Sequence, residues 1–319
     1  MSIEVTRDTF RLAQVFTISR GSRTEAKVLT VKVTRGGVTG WGECVPYARY
    51  DETLESVEAE IASLPEGVSR EALQGLLPPG AARNAVDCAL WDLEAKQAGL
   101  SIFKLIGLPS SPVVTVNTVT IDTPGKMANK ARAITSSQIK VKLDDQQPME
   151  RIAAVRNARP DADIVVDVNE GWRFSQLVEL APQFKALGIE MIEQPLPRGE
   201  DEALEAYQSP IVLCADESCL DTSELEQVAG RYQMVNIKLD KTGGLTEALA
   251  LRDEALKEGY KVMVGCMVGS SLAMAPATLV AQGALVTDLD GPLLLAEDRV
   301  EPLKFDEAGV HPPEPGLWG

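Results

Sequence analysis

Residues 139–143 read IKVKL, an apolar segment with lysines at alternate positions, and the same kind of segment recurs along the chain. Apolar segments with a charged residue at or near their ends follow at intervals of 22 to 26 residues: 164–168 (IVVDV), 190–194 (EMIEQ), 211–216 (IVLCAD) and 234–238 (MVNIK). Each interval accommodates one strand, one helix and two loops. This alternation is typical of βαβ units and predicts a parallel sheet.

The period extends in both directions and predicts eight strands. Backward it reaches Val113–Thr118, and forward it reaches Val262–Gly265 and a last strand before Asp288. Eight parallel strands close into a barrel. Only 29 residues follow Asp290, and five of them are prolines, so a regular eighth helix is not expected. The sequence therefore predicts an α/β fold, a modified (β/α)7β barrel of the TIM type over residues 112–297 with seven helices.

A different pattern precedes residue 112. Strand-like segments flank a Gly36–Gly37 turn, and helical patterns follow. The predicted elements are strands Ala26–Thr34 and Val38–Cys44 and helices Thr53–Ser63, Arg70–Leu77 and Ala81–Ala98. Strands followed by helices form an α+β domain, here residues 1–107. We expect the C-terminal tail, about residues 298–319, to return to this domain.

The composition excludes several classes of function. The 319 residues include 31 Lys and Arg against 47 Asp and Glu, which gives a net charge of −16. Nucleic acids and anionic membranes require a cationic surface, so neither is an expected partner. The single histidine, His311, lies in a proline-rich tail, which argues against Ser-His-Asp, Cys-His and His-bound zinc sites. Any metal should be a hard cation bound by oxygen.

The cysteines and the N-terminus bear on the cellular compartment. The five cysteines have no metal-binding spacing and are odd in number, which favours reduced thiols. The N-terminus lacks the apolar core of a signal peptide. The stretch 262–287 carries no charge, but its glycines and polar residues favour a buried strand, loop and helix over a membrane span. We expect a cytoplasmic protein.

Acidic residues at the strand ends carry the predicted chemistry. The active site of such a barrel lies at the C-terminal ends of its strands, where Asp167, Glu193 and Asp216 end three adjacent strands. Converging carboxylates repel each other unless a cation lies between them, and Mg²⁺ is the expected metal. A lone Asp in such a position is more often a helix N-cap, but three in consecutive units favour a metal site.

Lysines flank these acids. Lys140 and Lys142 both point inward under the period-2 alternation of a strand, and Lys238 comes from the opposite side of the barrel. Burial lowers the pKa of a lysine, so Lys142 and Lys238 are expected to serve as bases near neutral pH. For Lys140 two interpretations stay open: it neutralises Asp167, or it contacts the substrate.

Two further segments are candidates for substrate binding. Asp288 and Asp290 are too distant in strand order to share the metal, and they would either hold a cationic group such as an ammonium or form a turn or cap. Residues 265–269 (GCMVG) offer a flexible backbone whose amides would hold a carboxylate. Cys266 has no base partner, so it is not expected to be a nucleophile.

Short motifs occur in a fixed order along the chain. They are KVK (140–142), DVNE (167–170), EQP (193–195), ADES (215–218), NIKLDKTGG (236–244) and DLDG (288–291), preceded by SRGSRTEA (19–26), PYARY (46–50) and GAARNAVDCALWDLEAK (80–96). The set resembles the dipeptide epimerases of the muconate-lactonizing subgroup of the enolase superfamily, over essentially the whole chain. The resemblance implies that the N-terminal α+β domain caps the barrel, with a substrate-specificity loop near residues 19–26.

The resemblance also implies a role for each matched residue. Asp167, Glu193 and Asp216 would bind one Mg²⁺ per subunit, Lys142 and Lys238 would be the two acid/base catalysts, and Lys140 would help polarise the substrate carboxylate. The implied contacts to a dipeptide are Asp288 and Asp290 for its α-ammonium, with Thr115, Cys266, Met267 and Arg20 or Arg23 completing the pocket. Assembly into a homo-oligomer is a further expectation.

The implied reaction is epimerisation at the α-carbon of the C-terminal residue, from L-Ala-D-Glu to L-Ala-L-Glu, as in murein peptide recycling. Removing a proton beside a carboxylate creates an enediolate, whose second negative charge Mg²⁺ and Lys140 would stabilise. Two lysines on opposite faces permit inversion, because one removes the proton and the other delivers one to the far side. The loop around Arg20 would close over the site and exclude water.

Other functions stay open at this point. The enzyme would instead epimerise hydrophobic or cationic dipeptides, or catalyse cycloisomerisation or o-succinylbenzoate synthesis. Substrates of the last two reactions lack the ammonium that Asp288 and Asp290 would bind. A non-catalytic small-molecule-binding scaffold has no use for two opposed lysines.

Overall fold

Three strands form an antiparallel sheet at the start of the chain, in the computed structural model that describes residues 1–319. They are β1 Ser2–Ile18, β2 Gly21–Arg35 and β3 Val38–Cys44, in that order. The predicted strands lie within β2 and β3, whereas β1 escapes prediction because few of its residues are buried. The predicted loop near residues 19–26 is only a turn at Ser19 and Arg20, because Ile18 and Gly21 already pair across the hairpin.

Four helices complete this domain: α1 Leu54–Ala62, α2 Arg70–Leu76, α3 Ala81–Ala98 and α4 Ile102–Ile106. The backbone of α3 lies very close to β3, and two glycines make this possible. A Cβ atom on Gly40 would lie 2.0 Å from the carbonyl oxygen of Ala89, and one on Gly42 would lie 2.1 Å from that of Ala85. Larger residues at these two positions would push the helix off the sheet.

Eight parallel strands follow and pair in sequence order, as predicted. They are β4 Asn117–Val119, β5 Gln138–Lys142, β6 Asp163–Asp167, β7 Ile189–Glu193, β8 Val212–Ala215, β9 Met234–Ile237, β10 Lys261–Val264 and β11 Val286–Thr287. The sheet curls so that its first and last strands meet, where the Val116 amide donates to the Thr287 carbonyl at 2.9 Å. β4 is shorter than predicted, because Val113 bridges to Val310 of the tail.

Six α-helices connect the strands: α5 Pro124–Ala133, α6 Pro148–Ala158, α7 Phe174–Ala186, α8 Leu239–Thr242, α9 Leu245–Lys257 and α10 Ser271–Val280. The expectation of seven regular barrel helices is wrong at two places. The connections after β7 and β8 contain 3-10 helices, Glu202–Ala206 and Thr222–Val228. Prolines at positions 195, 197 and 210 interrupt the first of these connections. After β11 there is only a 3-10 turn, as predicted.

The inner face of the barrel has two layers. The lower layer is an apolar cluster of Val116, Val165, Met191, Cys214, Met234, Met263 and Val286. Because side chains alternate along a strand, the residues two positions later face inward at the C-terminal end, and most of them are polar. β5 is the exception, since Lys140 pairs with Val165 and so lies at the level of the apolar layer.

The C-terminal tail returns to the first domain. It forms a small hairpin of strands β12 Phe305–Asp306 and β13 Gly309–Val310. Its end packs on α3, where the Trp318 indole donates to the Cys88 carbonyl and the Gly319 amide donates to Asp92. No helix in the chain combines the length and apolar character that a bilayer crossing needs.

Buried carboxylates join the two domains. Asp240 at the start of α8 accepts hydrogen bonds from the Val45 amide and the Asn84 side chain, both in the N-terminal domain. Asp87 on α3 accepts from the Thr246 amide at the start of α9. Burial raises the pKa of Asp240 to about 7 and that of Asp87 to about 6.

The substitution Asp240→Asn tests this contact between the two domains. A carboxyl whose pKa is higher in the folded than in the unfolded state adds stability below about pH 4 and loses that contribution as the pH rises through about 7. We therefore expect the free energy of unfolding of the variant, relative to the parent, to increase by roughly 2 to 4 kcal/mol between pH 4 and pH 8. Denaturant unfolding at both pH values measures it, with exposed Asp253→Asn as control; a pH-independent difference would contradict the assignment.

Candidate active site

Lys140 and Lys142 point into the barrel from β5, as their spacing predicts. The Lys140 ammonium is fully buried and its Nζ lies 2.9 Å from Asp167 Oδ2, 2.7 Å from Glu193 Oε2 and 2.6 Å from Asp288 Oδ2. Burial alone would lower the pKa of Lys140, but these three carboxylates outweigh burial and raise it well above its ordinary value. In this position Lys140 neutralises Asp167 together with Glu193 and Asp288, and its contact with a substrate stays a prediction.

The three predicted metal-binding carboxylates end adjacent strands and are almost completely buried. Lys142 Nζ lies 2.5 Å from Asp167 Oδ2, and Lys238 Nζ lies 2.5 Å from Asp216 Oδ2 and 3.9 Å from Glu193 Oε1. The acids do not form a compact three-ligand cluster with metal-like spacing. In this structure their charges are instead balanced by the ammonium groups.

The donor set nevertheless fits a hard divalent cation. Glu193 Oε2 and Asp216 Oδ1 are buried carboxylate oxygens without a hydrogen bond, although ammonium groups lie 2.7 Å and 2.8 Å from them. Burial and the Asp167 charge raise the pKa of Glu193 to about 7. Burial also opposes ionisation of Asp167, but the charges of Lys140 and Lys142 hold its pKa below the ordinary value. All-oxygen ligands of this kind suit Mg²⁺.

The two candidate acid/base lysines lie on opposite sides of one small cavity. Lys142 and Lys238, from β5 and β9, both line a cavity of about 50 Å³ together with Asn169 and Asp216. The prediction of a depressed lysine pKa is wrong for Lys238: Asp216 and Glu193 outweigh the effect of burial and raise its pKa well above the ordinary value. The prediction rests on burial alone, which lowers a lysine pKa. The nearby carboxylates change the direction of the shift, so the pKa of Lys238 rises.

The N-terminal domain contributes one wall of this cavity. The remaining lining side chains are Phe16, Ile18, Arg20, Arg23, Tyr47, Tyr50, Glu217, Cys266, Met267 and Val268. Gly265 leaves room for the Lys238 side chain, because a Cβ atom there would lie 3.1 Å from Lys238 Cε. Burial raises the pKa of Cys266 well above its ordinary value, which agrees with the expectation that it is not a nucleophile. Cys266 and Met267 line the same cavity as Lys142 and Lys238, and their contact with a substrate stays a prediction.

The structure separates Asp288 from Asp290. Asp288 contacts Lys140, the same ammonium group that Asp167 and Glu193 contact, so it lies nearer to these acids than its strand order suggests. The reason is barrel closure, which places β11 next to β4 and only two strands from β5. Asp290 instead accepts a hydrogen bond from the Thr118 amide at 2.6 Å and lines a different cavity. Burial and the Asp288 charge raise the pKa of Asp290 to about 7.

Thr115 does not reach the cavity between the lysines. Its hydroxyl accepts from the Leu289 amide and lies 3.3 Å from the Thr287 carbonyl, so it joins the two ends of the sheet. Thr118, three residues later, lies beside Asp290. The sequence does not reveal this difference, because β4 begins four residues after the predicted strand start.

The two candidate arginines have different environments. Arg20 is engaged by the protein: its Nη1 lies 2.8 Å from Glu217 Oε1 and 3.1 Å from Glu170 Oε2, and it also donates to the Asn169 carbonyl. Arg23 forms no ion pair and packs against the Tyr47 ring, 5.4 Å from its centroid. Arg23 therefore presents an uncompensated cation to the cavity.

Several site residues were missed by sequence reasoning. Glu170 and Glu217 anchor Arg20, Tyr50 lines the cavity, and Lys241 supports Asp216. Lys241 is fully buried, and its three N–H groups can donate to the carbonyls of Asp216, Cys219 and Asn236. It therefore adds positive charge beside Asp216 Oδ1 without a hydrogen bond to that oxygen. Glu170, Glu217 and Lys241 lie in the motifs DVNE, ADES and NIKLDKTGG. The motifs do not reveal which residues these side chains contact.

Two family models match the chain. Residues 1–107 match the mandelate racemase/muconate lactonizing enzyme N-terminal domain, and residues 126–317 match the enolase C-terminal domain-like model. The chain belongs to the mandelate racemase/muconate lactonizing enzyme family. Its two matched regions correspond to the N-terminal domain and the barrel described above.

Members of this family with known functions are similar over nearly the full length. The L-Ala-D/L-Glu epimerase of Escherichia coli K12 is 47% identical, covering 97% of this chain and 99% of that protein. The N-acetyl-D-glutamate racemase of a Pseudoalteromonas species is also 47% identical, covering 88% and 91%.

Solved structures extend the similarity to the fold and ligands. An enolase family member from Agrobacterium tumefaciens, described as homologous to dipeptide epimerases, holds sodium and L-Ala-L-Glu; it is 47% identical, with a TM-score of 0.97 and 99% coverage of both chains. A dipeptide epimerase from Enterococcus faecalis in complex with Mg and L-Leu-L-Tyr is 26% identical, with a TM-score of 0.91 and the same coverage.

Proposed function

We propose that this enzyme is an isomerase that epimerises dipeptides at the α-carbon of the C-terminal residue, with L-Ala-D/L-Glu as substrate. The observation that carries the proposal is the pair Lys142 and Lys238 on opposite sides of one cavity, beside three buried carboxylates. Such a pair serves inversion at one carbon, because each face has its own proton donor and acceptor. Elimination needs only one base.

Asp167, Glu193 and Asp216 would hold one Mg²⁺ per subunit, which as a Lewis acid supports the negative charge that develops on the substrate carboxylate. Lys140, at the floor of the site, adds a fixed positive charge near these acids. One flanking lysine takes the α-proton and the other returns a proton to the opposite face. The side chains of the N-terminal domain exclude water from the cavity during this exchange.

The source of the substrate follows from its chemistry. L-Ala-D-Glu occurs in murein peptides, so we propose a role in their recycling. Homo-oligomer formation and a cytoplasmic location stay predictions from the sequence.

A second candidate is racemisation of N-acetylglutamate, which the Pseudoalteromonas relative favours. Both reactions would use the same two lysines and the same acids. They differ at the other end of the substrate, where the dipeptide carries an ammonium and the acetyl amide is neutral. The buried acids Asp288 and Asp290 favour the ammonium.

Single lysine substitutions test the two-base mechanism. In D₂O with Mg²⁺, the parent should convert L-Ala-L-Glu and incorporate deuterium at the C-terminal α-carbon. Lys142→Met and Lys238→Met should each lose epimerisation by roughly 10²- to 10⁴-fold. Each variant should retain α-proton exchange with only one of the two epimers, L-Ala-L-Glu or L-Ala-D-Glu, and the two variants should differ in which one.

The readout is ¹H NMR of the α-proton, with exposed Lys257→Met as the matched control. Unchanged epimerisation in either active-site variant would refute the assignment, as would exchange of both epimers by both variants. The same assay with N-acetyl-D-glutamate separates the two candidate reactions. The substrate with the higher kcat/KM, the dipeptide or N-acetyl-D-glutamate, identifies the function.

The free charge of Arg23 predicts an anionic side chain at the C-terminal residue. Arg23→Met should lower kcat/KM for L-Ala-L-Glu by roughly 10- to 100-fold, the effect of one charged hydrogen bond, and change L-Ala-L-Gln much less. Arg20→Met should lower kcat/KM for both dipeptides by the same factor, because Arg20 is already paired with Glu170 and Glu217. Equal losses for both dipeptides in Arg23→Met would contradict the assignment.

A further inference from the structure

A second cavity, of about 260 Å³, lies beside Asp290 and has no role in the reaction described so far. It lies between β1 near its bulge, β4, α5 and the turn that follows β11, and it is partly open to solvent. Its apolar wall consists of Ala13, Val15, Phe16, Ala133, Ile134, Leu293 and Leu294. Its polar side chains include Asp290, Thr120 and Lys130.

This cavity adjoins the one between the catalytic lysines. Phe16 lines both cavities. Asp288 and Asp290 lie two residues apart after β11, with Asp288 at Lys140 and Asp290 in the second cavity. In the proposed binding mode, the C-terminal α-carbon of the dipeptide lies between Lys142 and Lys238 and its α-ammonium lies at these acids, so the first side chain would lie on the Asp290 side.

We propose that the second cavity is the subsite for the side chain of the first residue of the dipeptide, and that it favours an acidic side chain. The inference rests on the proposed dipeptide epimerase function. The cavity is far larger than an alanine methyl requires, since even a water molecule takes up only about 30 Å³ of liquid. Its apolar wall would hold the stem of a longer side chain.

The Lys130 charge favours a negatively charged group at the end of that side chain. Lys130 Nζ makes one hydrogen bond, to Thr120 Oγ1 at 3.0 Å, and forms no ion pair. A first residue such as glutamate would place its α-ammonium at Asp290 and its carboxylate at Lys130. A cationic first residue would meet the Lys130 charge and be disfavoured. L-Ala-L-Glu leaves the cavity unused.

Two substitutions test the subsite through ratios of kcat/KM. The parent should epimerise L-Glu-L-Glu at the C-terminal residue, and Lys130→Met should lower the ratio of kcat/KM for L-Glu-L-Glu to that for L-Ala-L-Glu about tenfold, the effect of about 1.4 kcal/mol. L-Leu-L-Glu should not show this loss. Leu293→Trp fills the cavity. It should lower kcat/KM for both L-Glu-L-Glu and L-Leu-L-Glu relative to kcat/KM for L-Ala-L-Glu.

Matched controls are available on the same elements. Lys126→Met changes an exposed lysine of α5, and Leu285→Trp changes an exposed leucine at the other end of β11. Both should leave the ratios unchanged. Ratios unchanged in Lys130→Met and Leu293→Trp, with L-Ala-L-Glu still turned over, would overturn the subsite alone. Failure of the parent to epimerise any dipeptide would instead overturn the proposed function.

Discussion

The charges buried at the C-terminal end of the barrel must balance, and the site depends on how they do so. Asp167, Glu193 and Asp216 are almost completely shielded from water, and an unpaired buried carboxylate costs several kcal/mol. Lysines provide the balance from both sides of the barrel. Because Lys142 and Lys238 are each paired with one of these acids, the contacts that stabilise the acids also hold the two amines at the cavity between them.

The barrel supplies the geometry that this balance requires. Parallel strands bring every C-terminal end to one face, and closure of the sheet makes β11 a neighbour of β4. The apolar layer lies directly below these charges. Lys140 is the charged residue that lies at the level of this layer. The N-terminal domain then covers the cavity, and Arg20 links the turn after β1 to Glu170 and Glu217 of the barrel.

The strands and the principal charged residues could be predicted because their signals are local. A two-residue alternation places Lys140 and Lys142 on one face, and the spacing of the acids follows the βαβ period. Features that depend on long-range contacts could not be predicted. Barrel closure brings Asp288 to Lys140, pairing with Asp216 raises the pKa of Lys238, and only the contacts of Glu170 and Glu217 distinguish Arg20 from Arg23. Lys241 lay within a recognised motif, but its role depends on carbonyl groups from three separate positions.

Family membership and the similarity to epimerases agree with this arrangement, and the two-base mechanism depends on where the two amines lie relative to the substrate. The most direct measurement is a crystal structure of this enzyme with Mg²⁺ and L-Ala-L-Glu. We expect one cation bound by Asp167, Glu193 and Asp216, with the Nζ atoms of Lys142 and Lys238 on opposite faces of the C-terminal α-carbon. Both amines on one face, or a cation held by other residues, would contradict it.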